Sequence, residues 1–338
     1  MRAVRVRQPG SFAGLQIGDE PTPTPGPRDV LIKIRAASLN FRDLLIAKGL
    51  YPGPLRSTPI PLSDGAGQVV AVGPEVSRIK VGERVAANCW SHWIGGRFVA
   101  EYHAASIGMT LDGALAEYVL IDESAIVTIP EYLSFEQAAA LPCAAVSAWS
   151  ALTFGEPLSP GQTVLIQGTG GVALFALQIA RMFGVRVLAI TSSEQKAQRL
   201  RDLGADRVVN YRENPKWSDA ILEFTGGLGV DKVVEIGGET TINQSAACTR
   251  VGGEIGLVGF VTGFGGGLPP LSIMVRSLNL KGISIGPRLS FEALLKAMEV
   301  TKVRPVIDSV FPFADYAAAY AHLEAASHVG KVVISMAA

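Results

Sequence analysis

Apolar and charged positions alternate over residues 30–35. Val30, Ile32 and Ile34 share one face and Lys33 and Arg35 the other, the period of a half-buried strand. Just before it, Pro21-Thr-Pro-Thr-Pro-Gly-Pro27 cannot donate to a ladder and reads as a loop. Further short strands are predicted over 67–73, 80–87 and 115–121, punctuated by Gly and Pro as in a small barrel-like β domain. The pattern changes near Thr128. Helical text begins at Ser134, which can N-cap while Gln137 closes a capping box. The uncharged stretch 137–155 carries Gln, Pro, Ser and Thr, and reads as buried helix rather than lipid span.

From residue 163 onward, strands over 163–167, 185–191, 206–211, 231–236 and 253–258 alternate with helices over 172–183, 194–203, 215–225 and 240–250. Nearly continuous apolar strands between helices imply a parallel sheet covered on both faces, hence a doubly wound α/β domain with right-handed crossovers. The tail is mixed: strands over 278–285, 306–310 and 331–335, helices over 291–301 and 315–326. The last strand is expected to return to the first domain. No internal repeat is visible.

Composition narrows the classes. A chain of 338 residues suggests two domains, and 48% hydrophobic with 18% charged residues is ample for a core. Lys plus Arg (30) balances Asp plus Glu (30), so no basic excess is left for a nucleic acid, and no like-charge run suggests an interaction tail. Cys89, Cys143 and Cys248 are far apart with no C-x-x-C pair, which argues against a disulfide framework and a zinc ribbon. The first residues lack an apolar signal-peptide core, so a reduced, cytoplasmic setting and no membrane association are expected. The 37 glycines and 20 prolines point to a turn-rich fold with close backbone approaches.

The strongest chemical signal is Val164-Leu-Ile-Gln-Gly-Thr-Gly-Gly-Val-Ala173, a buried strand running through Gly168, Thr169, Gly170, Gly171 and Val172 into a helix. Gly168 permits a tight turn, Gly170 lets backbone approach a pyrophosphate, and the helix start offers free N–H groups and positive dipole. Ala173 stands at the third glycine position of G-x-G-x-x-G, which the dinucleotide fingerprint accepts. The second strand ends without the carboxylate that an NAD site directs at the ribose 2′-hydroxyl. Thr191, Ser192 and Ser193 supply hydroxyls there and Lys196 a cation, which suits a 2′-phosphate. Glu194 is read as a helix-capping acid. NADPH is therefore expected over NADH.

The chain resembles the medium-chain dehydrogenase/reductase superfamily, in its zinc-independent, quinone oxidoreductase-like branch. The resemblance rests on Asn40-Phe-Arg-Asp43, Gly49-Leu-Tyr51-Pro52, Asp64-Gly-Ala-Gly67, Val69-Val-Ala-Val-Gly73 and Val81-Gly-Glu-Arg-Val85. It continues through Gly113-Ala-Leu-Ala-Glu-Tyr118, Leu141-Pro-Cys-Ala144, the glycine motif, Leu203-Gly-Ala-Asp206, Asn210-Tyr211 and Gly330-Lys-Val-Val-Ile334. Their order and spacing, more than any one piece, carry it. It implies an α/β fold class: a GroES-like, β-rich catalytic domain (1–127 and 287–338) and a Rossmann domain (128–286), with the active site in the cleft between them. It further implies that Lys196 and Tyr211 hold the adenosine 2′-phosphate, that Ser147 lies near the nicotinamide ribose, and that Val258, Gly259, Ile283, Ser284 and Ile285 pack along the cofactor.

Zinc-dependent relatives hold a catalytic ion with Cys, His-Glu and a further Cys or Asp. Here Asn40 stands at the first position, Ser63-Asp64 replaces His-Glu, and Cys143 alone survives; Cys89 alone represents the four-cysteine structural lobe. One thiolate is too few for a catalytic zinc, so no metal is expected, and Cys143 reads as a small buried hydrophobe. His92 and His103 read as loop or surface residues. Without a Lewis acid, hydride delivery to an already activated acceptor is left, a quinone or an α,β-unsaturated carbonyl. Asn40 is the first candidate for an amide beside the nicotinamide or the substrate oxygen, and Tyr51 the second, as hydroxyl donor or aromatic wall. Asp43 reads as a capping or pairing residue of a helix over 40–47, and Asp64 as a turn residue or a proton relay.

The segment 88–112 carries Trp90, Trp93, Phe98, Tyr102 and His103. It either shapes an apolar acceptor pocket or packs on its own aromatics. The nearly uncharged stretch 263–280 suits a homodimer that pairs sheet edges. The leading reading is a zinc-free, NADPH-dependent reductase of a small apolar carbonyl or quinone. The alternatives are an alcohol dehydrogenase and an NADPH-binding protein without turnover.

Overall fold

The computed structural model describes residues 1–336. In chain order the elements are β1 (Arg2–Val6), β2 (Leu15–Asp19), β3 (Asp29–Ser38), α1 (Phe41–Ala47), β4 (Asp64–Val72), β5 (Arg84–Ala87), β6 (Tyr118–Asp122), β7 (Ile126–Thr128), α2 (Phe135–Ala139) and α3 (Ala144–Thr153). Then come β8 (Thr163–Gln167), α4 (Gly171–Met182), β9 (Arg186–Thr191), α5 (Glu194–Asp202), β10 (Arg207–Asn210), α6 (Trp217–Phe224), β11 (Val230–Glu235), α7 (Ile242–Cys248) and β12 (Thr249–Leu257). The chain ends with α8 (Pro270–Arg276), β13 (Asn279–Gly282), α9 (Arg288–Thr301), β14 (Ile307–Pro312), α10 (Tyr316–Glu324) and β15 (Lys331–Ser335). They form two compact units, Met1–Val146 with Gly286–Ala338, and Ser147–Ile285. None of the described helices is long and apolar enough to cross a membrane.

The first unit is β-rich. Its seven-stranded sheet runs β14-β15-β3-β4-β5-β7, with β6 also pairing β3, and β1 and β2 form a separate ribbon. The long β3 is the spine, antiparallel to β4, β6 and β15. Val30, Ile32 and Ile34 all enter the core, so the alternating text of residues 30–35 marks its buried face. β15 comes from the far end of the chain and aligns Val333 with Ser38. That register sets Lys331 beside the start of α1, where the candidate chemistry lies.

The structure departs from the sequence expectations in definite places. Residues 128–146 belong to the first unit, not to the second from 128, because α2 packs against β3, β4 and β15. The stretch 137–155 is two helices, α2 and α3, rather than one. The α2 start is capped as read: Gln137 N–H donates to Ser134 Oγ (3.2 Å) and Ser134 N–H to Gln137 Oε1 (3.1 Å). Only residues 84–87 of the 80–87 stretch and 279–282 of the 278–285 stretch extend as strands, and the unassigned residues before the latter form α8. Pro270 at its first turn favours that helix, since the position needs no N–H.

The second unit carries a parallel sheet ordered β10-β9-β8-β11-β12-β13. Val164, Leu165 and Ile166 of β8 are fully buried, as expected of a strand covered on both faces. A buried ion pair, Lys232 with Glu254, ties β11 to β12, and the ammonium also donates to the carbonyls of Phe154 (2.8 Å) and Glu156 (2.7 Å). Those bonds satisfy a charge that burial would otherwise expel. The chain reverses its direction of travel across the sheet between β8 and β11, so a crevice opens beyond their carboxyl ends.

Candidate functional site

In the second unit, β8 ends at Gln167 and α4 begins at Gly171. Gly168 takes φ +76°, a left-handed conformation that favours glycine. A Cβ added at Gly170 would meet no atom within 4 Å, so open space lies over the backbone there. No side chain caps α4. Its first-turn N–H groups and the positive end of a 12-residue helix therefore face open space, the environment a pyrophosphate needs. Val172 is in that first turn, Thr169 is buried, and Ala173 packs at 0% exposure, where a larger residue would push the helix off the sheet.

The other cofactor candidates cluster at the same carboxyl edge. Thr191 ends β9, Tyr211 follows β10, Val258 and Gly259 follow β12, and Ile283, Ser284 and Ile285 follow β13. Tyr211 N–H donates to Thr191 O (2.9 Å), and Ile283 N–H to Leu257 O (2.9 Å), which holds these ends in line. Ser193 is the residue that caps α5, accepting from Lys196 N–H (3.3 Å). Glu194 pairs with Arg201 instead of capping. Tyr211 is exposed, Lys196 and Ser192 are half-buried, and Ser147 is buried in α3. These residues fit a phosphorylated dinucleotide: an uncapped helix start for its pyrophosphate, and hydroxyls with a cation beyond β9.

Sequence reasoning missed the network beneath this edge. Glu235, fully buried at the end of β11, accepts from Gln167 Nε2 (2.7 Å), Thr241 Oγ1 (2.5 Å), Gly238 N–H (2.9 Å) and Ser245 Oγ. Gln167 Oε1 accepts from the N–H groups of Ile236 (3.0 Å) and Gly237 (2.9 Å). The turn after β11 is thereby pinned to the end of β8. A polar residue directly after a buried apolar run, Val164-Leu-Ile before Gln167 and Val233-Val before Glu235, was the available signal.

In the first unit the candidates meet around Asn40. The Asn40 N–H donates to Asp43 Oδ2 (2.8 Å), so Asp43 serves the start of α1 as expected. Burial pushes the Asp43 carboxyl up to about 7, against the pull of Arg42. Lys331 Nζ donates to Asn40 Oδ1 (2.5 Å) and Leu39 O (2.7 Å), and lies 3.6 Å from Asp64 Oδ2. Asn40 Nδ2 is buried and has no hydrogen-bond partner among the described residues. Arg42 donates to Ser106 Oγ (3.2 Å), with its guanidinium carbon 5.5 Å from the Tyr51 ring centre. Burial raises the Tyr51 phenol, which keeps its proton and can donate.

Asp64 is not a turn residue. It opens β4 at 0% exposure and is a buried acceptor. Its Oδ1 accepts from Ser63 Oγ (2.9 Å), Cys143 N–H (3.1 Å) and Cys89 Sγ (3.6 Å), and its Oδ2 from Ser38 Oγ (3.3 Å). Cys89 is thus no remnant of a distant lobe. Its sulfur, that of Cys143 and an Asp64 oxygen lie within 4.8 Å of one another, so the site holds two thiols where one was expected. Cys143 is half-buried and bonded to Asp64 through its backbone, more than a small hydrophobe.

This donor set does not fit a resident catalytic zinc. The carboxylate already accepts from four donors and stands beside the Lys331 ammonium, which repels a dication. Burial, contact with Cys143 and the Asp64 charge push the Cys89 thiol up. His92 and His103 are exposed and outside the cluster; His103 packs edge-on against Trp90, 5.4 Å between ring centres. In the segment 88–112, Trp93 and Phe98 (4.8 Å) and Trp90 and Phe98 (5.1 Å) pack on each other.

Comparisons with known proteins identify the family. Residues 26–131 match the model of the alcohol dehydrogenase GroES-like domain, and residues 171–300 that of the zinc-binding dehydrogenase family. A zinc-type alcohol dehydrogenase-like protein of Schizosaccharomyces pombe is 40% identical over 92% of this chain and 91% of its own length. The human quinone oxidoreductase is 29% identical over 99% of this chain and 97% of its own. A solved NAD-dependent alcohol dehydrogenase superposes with a TM-score of 0.90 at 33% identity over 100% of both chains. A mycobacterial protein solved in complex with NADPH superposes with a TM-score of 0.83 at 31% identity over 99% of both. With a β-rich unit of GroES type and a Rossmann unit carrying the dinucleotide loop, the chain belongs to the medium-chain dehydrogenase/reductase superfamily.

Proposed function

We propose that this NAD(P)-dependent oxidoreductase uses NADPH to reduce a quinone or an α,β-unsaturated carbonyl, without zinc. The observation that carries the reading is the Asn40 amide: its oxygen is committed to Lys331 while its buried Nδ2 has no partner. A buried donor left unpaired costs about 1–3 kcal/mol, so the site is built to receive an acceptor atom. A substrate carbonyl or quinone oxygen is such an atom. Charge grows on that oxygen as the adjacent carbon skeleton is reduced, and an oriented donor stabilises it most when the charge is greatest. Tyr51, kept protonated by burial, is the second donor of the same unit.

NADPH supplies the hydride when bound. Gly168, Thr169, Gly170, Gly171 and Val172 hold its pyrophosphate, and Lys196, Tyr211, Thr191, Ser192 and Ser193 its 2′-phosphate. Ser147, Val258, Gly259, Ile283, Ser284 and Ile285 line its remaining length. An alcohol would need its hydroxyl acidified by a Lewis acid, whereas a quinone or enone arrives activated. The domains proposed are the GroES-like and Rossmann parts, with α2 assigned to the former. The three free cysteines suit the reducing cytoplasm. The β13 edge has no partner strand among the described residues, and Leu271, Met274 and Val275 of α8 stand exposed, which supports a homodimer. Sedimentation as a dimer is expected, and a monomer at every concentration would remove that part.

The test is NADPH oxidation by protein treated with a strong chelator, against quinones, enones and simple aldehydes, with Asn40→Ala as control. Turnover of quinones or enones is expected to survive chelation and to fall about 100-fold in kcat on Asn40→Ala, the effect of removing one oriented donor. Activity that appears only after zinc is restored would turn the reading to an alcohol dehydrogenase. Tight NADPH binding with no turnover would turn it to a binding protein.

A further inference from the structure

The side chain of Lys331 touches both Asn40 and Asp64. It opens β15 at 3% exposure, and every other residue of that strand up to Ile334 is buried and apolar. An ammonium placed there must be held by partners or expelled. Its partners are Leu39 O (2.7 Å), Asn40 Oδ1 (2.5 Å) and, at 3.6 Å, Asp64 Oδ2. A terminal amide has two ends of similar size, one an acceptor and one a donor, and nothing intrinsic to Asn selects which end faces a substrate. Lys331 selects, because an ammonium has only protons to offer and accepts no amide N–H. The oxygen must therefore face Lys331 and the NH2 group must face away. Asp64, anchored by Ser38, Ser63 and Cys143, holds the ammonium from its other side.

We propose that Lys331 is the positioning residue of the proposed reaction: it fixes the orientation of the Asn40 amide, so that the Nδ2 donor, and not the oxygen, meets the substrate oxygen. The inference rests on the reading of Asn40 as that donor. Without Lys331, the amide turns between two orientations, one of which sets an acceptor against an acceptor. The effect falls on kcat more than on KM, because the mismatch grows with the charge on the substrate oxygen.

The test is a double-mutant cycle of Asn40→Ala and Lys331→Met in the full chain, together with NADPH affinity and thermal unfolding of each variant. Lys331→Met alone is expected to lower kcat about 10- to 100-fold with KM changed less than about 3-fold. In the double variant it is expected to add almost nothing to the effect of Asn40→Ala. In protein labelled with 15N-asparagine, the Asn40 side-chain amide signal, identified by its loss in Asn40→Ala, is expected to shift or broaden in Lys331→Met. Losses that multiply in the double variant, or an unchanged amide signal, would show that Lys331 merely supports the fold. Should Lys331→Met not fold, Lys331→Arg takes its place: the guanidinium also only donates, so the amide keeps its orientation and kcat stays within about 10-fold of the native value. An Asn40 amide signal that leaves its native position in Lys331→Arg, or a kcat loss well beyond about 10-fold, would overturn the proposal. If Asn40→Ala itself leaves kcat unchanged, the reading of Asn40 fails and this inference falls with it, a result distinct from the multiplicative one.

Discussion

In the Rossmann unit, the proposed pyrophosphate-binding residues sit in one run from Gly168 to Val172, whereas the polar cluster of the other unit gathers Asn40, Asp64, Cys89, Cys143 and Lys331 from five separate stretches. The first is a backbone device. A left-handed glycine and an uncapped helix start do the work, and both follow from local sequence. The second is a side-chain device. Its parts are buried, charged and held by one another, and no local pattern specifies them. A backbone site should therefore fail gently and reversibly when altered, by weaker cofactor binding. A buried ionic cluster should fail through pH, protonation and orientation.

The sharpest way to break this contrast is through Asp43. Burial raises its carboxyl from an ordinary 3.8 to about 7 in the folded chain. The folded state thus keeps a proton that the unfolded chain releases first. The stabilisation from this proton is fully present below the unfolded value and is lost as pH rises through about 7. At roughly 1.4 kcal/mol per pH unit of separation, the loss amounts to about 4 kcal/mol. Asp43→Asn keeps an acceptor for the Asn40 N–H and cannot ionise. Denaturant unfolding of both proteins from pH 4 to 8 is expected to show the native chain losing stability relative to Asp43→Asn across that window. A constant difference would mean that the cluster does not titrate as a buried unit.

Next in size is Gly170→Val. A Cβ there meets no protein atom, so folding and thermal stability are expected to stay near native. The branched side chain fills the space before α4 and blocks one or two charge-assisted hydrogen bonds to phosphate. At about 1.5–3 kcal/mol each, NADPH should bind at least about 10-fold more weakly for one lost bond and more than about 100-fold for two, read by fluorescence titration. Unchanged affinity would place the pyrophosphate elsewhere.

The smallest effect is expected at Lys196→Ala. Removing one half-exposed cation should weaken NADPH about 10-fold and leave NADH affinity unaltered, since only the former carries the 2′-phosphate. Equal losses for both cofactors would make Lys196 a general surface charge and reopen the preference for NADPH.

Much of the fold was legible because periodicity reports burial. The run 163–167 matches β8 residue for residue, and β15 likewise matches 331–335. Boundaries slipped where local text is ambiguous: a helix expected over 240–250 is Ile242–Cys248, because β12 already begins at Thr249. The uncharged run 137–155 could not show its break at residues 140–143, since two buried helices and one have the same composition. In the site, Asn40 and Tyr51 were visible as residue types at matching positions. Cys89 was matched to the four-cysteine structural lobe of zinc-dependent relatives; 54 positions separate it from Cys143 along the chain, and only packing brings the sulfurs together. Lys331 offered one hint, a charge heading an apolar strand, with no indication of its partner.

The sequence by itself determined the two architectures, the dinucleotide loop and the cluster of hydroxyls and a cation after β9, because each depends on contacts between residues a few positions apart. The tertiary structure alone decided that Lys331 reaches Asn40, that Asp64 is a buried acceptor, and that two thiols lie beside it. Ser63 apart, those contacts span 25 to 291 positions. That of Lys331 depends on β15 pairing with β3, whose register places it beside Asn40.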